Sequence, residues 1–158
     1  MPVGTTEKPS MKLYKSEEGL EKIMSWYEKV KSEINVEHES IFATTRFGKT
    51  HAIVAGEGHS KSLILIPGVA GCAPLWRHQI NELSKYFTVY ALDIVGQPGK
   101  SDPNPPSVFN DDFVNWLEDV ITGLKLIKPH CVGVSTGGTT AMDMAIQKSD
   151  LIDKVVMC

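Results

Sequence analysis

Residues 130 to 142 read HCVGVSTGGTTAM and place Ser135 between Gly133 and Gly137 in a G-x-S-x-G spacing. A serine so spaced is a candidate nucleophile when an apolar strand precedes it and a helix follows, because the sharp turn between them lifts the hydroxyl clear of the sheet. Both neighbours are present, since CVGV is apolar and residues 137–148 carry helical spacing. Glycine two residues to either side removes side chains that would strike backbone in so tight a turn. The amino end of the following helix presents free amides and the positive end of its dipole to negative charge. The Thr136 amide is therefore one expected donor to an oxyanion. A second is expected from the loop Gly68-Val69-Ala70-Gly71 after the apolar run LILIP, first from Val69 and next from Ala70.

A serine nucleophile also needs a base to take its proton. The five histidines are His38, His51, His59, His78 and His130, and all precede Ser135. His130 opens the strand that Ser135 closes, which puts it roughly 16 Å away at ~3.3 Å per residue. His51 falls in a hairpin, His59 in a polar loop, and His78 on the solvated face of a helix. The competing reading of Ser135 is a small residue in a tight turn, without chemistry.

The elements that must position these residues alternate along the chain. Apolar positions Leu20, Ile23, Met24, Tyr27, Val30 and Ile34 predict a helix from Ser16, its cap, to Ile34. SIFATTRFG and KTHAIVAG predict a hairpin about a Phe47-Gly48-Lys49 turn. The continuous apolar run at 62–67 predicts a central strand covered on both faces, and 87–94 predicts the next. Helices are predicted over 74–86, from Asn110 to about Leu126, and over 137–148, with KVVMC opening a further strand. Strands alternating with amphipathic helices predict a three-layer α/β/α sandwich with a mostly parallel sheet and an antiparallel hairpin at its start. In such sheets ligands gather at the carboxyl ends of the strands, which here means the loops after Pro67, Asp93 and Val134. Residues 1–15 are expected to form a flexible arm and 16–158 a single domain.

Composition narrows the chemistry. The net charge of −3 carries no basic stripe, so nucleic acid is excluded as a partner. MPVGTTEKPS lacks the plan of a signal peptide, and SLILIPGVAGCAPLW is too interrupted to span a membrane. Three cysteines at unrelated spacings suit reduced thiols, and a cytoplasmic location is expected. No C-x-x-C pair points to a metal. GQPGKS fails as a phosphate loop, because Ile94 stands where glycine is required and Pro98 lacks an amide hydrogen. Gly133, Gly137 and Gly138 have the wrong spacing for a dinucleotide fingerprint. The tryptophans Trp26, Trp76 and Trp116 are read as packing residues, as is Cys72, with Trp76 a candidate pocket wall.

Four segments resemble the α/β-hydrolase fold superfamily: LILIPGVAGCAPLW its oxyanion strand and loop, YALDIVGQPGKSD its Asp-x-x-Gly-x-Gly-x-Ser turn, VGVSTGG its nucleophile elbow, and LIDKVVMC its next strand. The hairpin and leading helix resemble bacterial esterase-like members, and the likeness covers roughly residues 36–158. It implies acyl transfer from a small-molecule ester through a covalent acyl-serine, with Ser135 as nucleophile, Val69 and Thr136 amides as oxyanion hole, Gly68, Gly133 and Gly137 in support, and no cofactor. Serine rather than aspartate at 135 argues against the dehalogenase and epoxide-hydrolase branches. Two departures stand out. Pro67 replaces the family's frequent histidine. After Ser135 come Asp143, Asp150 and Asp153 but no histidine, although the family's acid and histidine follow the serine in the chain. The chain is therefore expected to be the amino-terminal portion of a longer hydrolase. The alternative is a non-catalytic binding or sensor module on the same fold. KVVMC as an unpaired apolar strand is expected to favour self-association.

Overall fold

Alternation of buried side chains along the strands builds the molecule. The computed structural model describes residues 11–158. A 3-10 turn (Met11–Leu13) leads to α1 (Glu17–Lys31), β1 (His38–Thr45), β2 (Gly48–Ala55) and β3 (Ser62–Ile66). A second 3-10 turn (Ala73–Trp76) runs into α2 (Arg77–Leu83), followed by β4 (Thr88–Leu92), α3 (Asp112–Gly123), β5 (His130–Gly133), α4 (Thr136–Gln147) and β6 (Val155–Met157). In β3, Ile64 and Ile66 join the core under α3 and α4, while Leu63 and Leu65 join a second core with Trp76 and Ile80 on the other face. A strand buried on both faces has no polar alternation to show, and that is why SLILI reads as one apolar run.

The sheet has six strands in the order β1-β2-β4-β3-β5-β6. β1 pairs with β2 and β2 with β4 antiparallel, and the remaining pairs are parallel. This is the expected layered α/β architecture with its antiparallel hairpin. The hairpin turn differs from expectation by one step. Thr45 pairs with Gly48, so Arg46 and Phe47 form the turn and Gly48 already belongs to β2. Asp119 holds that turn by accepting from the Arg46 amide at 2.8 Å and from its guanidinium at 2.8 and 2.9 Å.

Ser16 caps α1, its hydroxyl accepting from the Gly19 amide at 3.0 Å. The helix ends at Lys31, short of Ile34, which packs in the core beyond its end. α3 ends at Gly123 rather than Leu126, and Asn110 Oδ1 accepts from the Asp112 amide just ahead of it. Trp116 is fully buried and donates to Thr50 Oγ1 at 2.8 Å, and Trp76 and Cys72 are buried too. Trp26 is the exception, 45% exposed on α1. Residues 1–10 of the expected arm lie outside the described residues. Beyond them the Tyr14 hydroxyl accepts from the Gly99 amide at 3.4 Å, so this part of the arm touches the body. Among the described residues no helix is long and apolar enough to cross a membrane.

Candidate active site

β3 and β5 are neighbours with Ile66 opposite Gly133, so the loops leaving their carboxyl ends start side by side. Ser135 stands at the amino end of α4 with φ 52° and ψ −120°, in the left-handed half of backbone space that non-glycine residues enter only when surroundings hold them there. Several contacts hold it. The Ser135 amide donates to Cys158 O at 3.0 Å, the Val134 amide to Ile66 O at 3.1 Å, and Ser135 O accepts from Thr139 N at 2.9 Å. The flanking glycines explain themselves by distance. A Cβ on Gly133 would lie 2.2 Å from Gly137 O, one on Gly137 2.3 Å from Ile66 O, and one on Gly138 2.5 Å from Met157 Cγ. Elbow and β3 are packed backbone to backbone, and the Met157 side chain of β6 closes on Gly138.

Ser135 is exposed at the base of a cleft of ≈ 450 Å³ whose walls include Gly68, Val69, Leu75, Trp76 and Val134. A Cβ built on Gly68 would lie 3.3 Å from Ser135 Cβ and 3.9 Å from Oγ, so glycine there lets the loop lie against the serine. The amides of Val69 and Thr136 donate to no described residue. That of Ala70 donates to Gln97 Oε1 at 2.6 Å. The structure thus brings Gly68, Val69, Gly133, Ser135, Thr136 and Gly137 into one place.

No described residue hydrogen-bonds Ser135 Oγ. His78 is exposed on α2, and His38 and His59 bond backbone carbonyls of Val36 and Ser84 away from the cleft. His130 faces Asp153 at 3.5 Å at the other end of β5, and Asp150 is exposed. His51 is fully buried, bonded through Nδ1 to Asp93 at 2.8 Å.

That last pair belongs to a network that local patterns did not reveal. Asp93 is fully buried and accepts from the Ala73 amide at 2.7 Å, the Lys100 amide at 3.0 Å and Tyr27 Oη at 2.8 Å, besides facing His51. Burial pushes its carboxyl toward neutrality, but the hydrogen bond and charge of His51 and the two amides outweigh it, leaving the pKa lowered. Burial and the charge of Asp93 push the Cys72 thiol up to about 12. The one signal in the sequence was a carboxylate directly after the apolar strand VYAL. The turn expected at GQPGKS is present, with the Lys100 amide donating to Asp93 Oδ2 and Ser101 Oγ donating to Asp93 O at 2.6 Å.

Known proteins resemble this chain in sequence and fold. A profile of the alpha/beta hydrolase fold family matches residues 61–158. The carboxylesterase YbfK of Bacillus subtilis is 34% identical over 122 residues, 77% of this chain and 41% of that protein. Its crystal structure superposes with TM-score 0.81 at 32% identity over 86% of this chain and 48% of that one. The naproxen esterase of Bacillus subtilis superposes with TM-score 0.82 at 30% identity, over 90% of this chain and 50% of that one. The chain thus spans about half the length of the relatives it matches. With the family profile over more than half of its residues and the sheet order in place, the chain belongs to the α/β-hydrolase fold family.

Proposed function

We propose that this sequence is the nucleophile-bearing part of a serine hydrolase that cleaves carboxylic esters through a covalent acyl-serine. The observation that carries the reading is Ser135 held at φ 52°, exposed and in contact with the Gly68 loop. Ser135 Oγ attacks the carbonyl carbon, and a histidine takes its proton and later returns it to the leaving alcohol. The unbonded Val69 and Thr136 amides hold the tetrahedral oxyanion, water then releases the acid, and no cofactor takes part. Gly68, Gly133 and Gly137 keep backbone close enough for this. The acid and histidine have no counterpart among the described residues, and we assign them to sequence following β6. Ala70 is set aside as oxyanion donor because Gln97 occupies its amide. The free Cys72, Cys131 and Cys158 support a reducing, cytoplasmic setting. The substrate is a small acyl compound, and an unpaired β6 edge supports pairing with a second copy where no further strand covers it.

The lack of any described partner for Ser135 Oγ favours a second reading, a non-catalytic binding module. Hydrolysis of p-nitrophenyl acetate separates the two. The 158-residue chain is expected to show only the slow turnover that an oxyanion hole sustains without its base, and a longer chain supplying a histidine after β6 a much faster one. The rate of the longer chain should fall in S135A to the slow background that an oxyanion hole sustains alone. Turnover of the longer chain indifferent to S135A would leave the binding module standing.

A further inference from the structure

We propose that Gln97 is a positioning residue for the oxyanion loop, gripping Ala70 so that the neighbouring Val69 amide is held toward Ser135. This deepens the serine reading above and rests on it. Ala70 is one of the few non-glycine residues with positive φ, at 59°, a conformation that persists only where neighbours impose it. Three hydrogen bonds shape the loop. The Gly71 amide closes its turn on Gly68 O at 2.9 Å, and the Ala73 amide ties its far end to Asp93 Oδ1 at 2.7 Å. The third grips the left-handed residue itself, Ala70 N–H on Gln97 Oε1 at 2.6 Å.

Gln97 acts from a rigid base. Its own amide donates to Ile94 O at 3.2 Å, and the Gly96 amide to Asp102 O at 2.8 Å. A Cβ on Gly96 would come within 2.3 Å of Pro105, so the turn carrying Gln97 cannot slide. The Gln97 carbonyl does two things from there. It fixes the plane of the Val69–Ala70 peptide, which adjoins the Gly68–Val69 peptide carrying the Val69 N–H, and it removes the Ala70 amide from competition for the oxyanion. A glutamine on the turn after β4 thereby sets the geometry of a donor on the loop after β3.

The test uses residue-resolved amide hydrogen exchange on the 158-residue chain, and p-nitrophenyl acetate turnover by the longer chain that supplies the histidine. Q97M keeps the length and packing of the side chain but removes the carbonyl acceptor. It is expected to speed Ala70 exchange at least ~tenfold and to lower kcat ~tenfold with KM unchanged, a fraction of the ~100-fold or more that losing a whole oxyanion donor costs. Q97E, whose carboxylate still accepts, is expected to keep Ala70 protected. Unchanged exchange at Ala70 in Q97M, or a loss carried by KM with kcat intact, overturns the assignment while leaving the nucleophile in place. Turnover of the longer chain no faster than that of its S135A variant overturns the serine reading, and the role of Gln97 falls with it.

Discussion

Ser135 carries the geometry of its proposed role as strain. At φ 52° and ψ −120° a glycine would sit at ease, whereas a side chain costs about 1–3 kcal/mol. S135G is therefore expected to be more stable than wild type by about 1 kcal/mol, and more stable than S135A, in urea unfolding. A residue chosen for stability alone would not be serine. G137A acts in the opposite sense, because its methyl would meet Ile66 O at 2.3 Å. It is expected to lose at least about 2 kcal/mol, in the range of overpacked cores, with the elbow displaced from β3. Asp93 sets a pH limit. Its folded pKa lies below the usual 3.8, so the unfolded chain takes up protons first as pH falls. The contribution of Asp93 to stability is complete above about pH 4 and is lost as pH drops through the folded pKa. D93N is expected to be less stable by about 3 kcal/mol at pH 7, since His51 and the amides of Ala73 and Lys100 lose their charged acceptor. Its stability should also vary less than that of wild type below pH 4. Equal acid sensitivity in the two proteins would remove Asp93 as the source.

At the scale of the elements, helix α1 shows how a surface segment is tied to the site. Its cap is local, the Ser16 hydroxyl on Gly19 N–H, and S16A is expected to cost about 1 kcal/mol by thermal unfolding. Its anchor is remote, because Tyr27 donates to Asp93 and Lys100 lies 5.1 Å above the Tyr27 ring. The cap was legible in the sequence as a serine before an amphipathic run. The anchor was not, since a tyrosine at a helical core position looks the same whether its hydroxyl reaches a carboxylate or water. Elbow and oxyanion loop were legible for a related reason. Their glycines answer contacts within a few residues of chain or with an adjacent strand, and such close approach leaves a residue-type signature. The left-handed Ala70 left none, because the partner of its amide, Gln97, stands twenty-seven residues on.

For the whole molecule, β6 carries the proposal of self-association. It pairs with β5 on one side, and Val156 and Met157 are 53% and 57% exposed at the sheet's last position. An open apolar edge is a template for another strand. The 158-residue chain is expected to elute as a dimer or larger, and Val156→Lys to shift it toward monomer by light scattering without changing its circular dichroism. A monodisperse wild-type monomer would count against pairing through this edge.

The sequence by itself determined the elements, the two-faced burial of β3, and a serine on a glycine-walled turn, because hydrophobic alternation and steric clearance act over short stretches of chain. Tertiary structure alone decided that β5 skips β4 to lie beside β3, which brings Ser135 to Gly68. It also gathered Tyr27, His51 and Asp93 into one buried cluster and set Gln97 against Ala70. Those pairings depend on which apolar faces bury each other and on the hand of the crossovers, long-range terms that no single segment encodes.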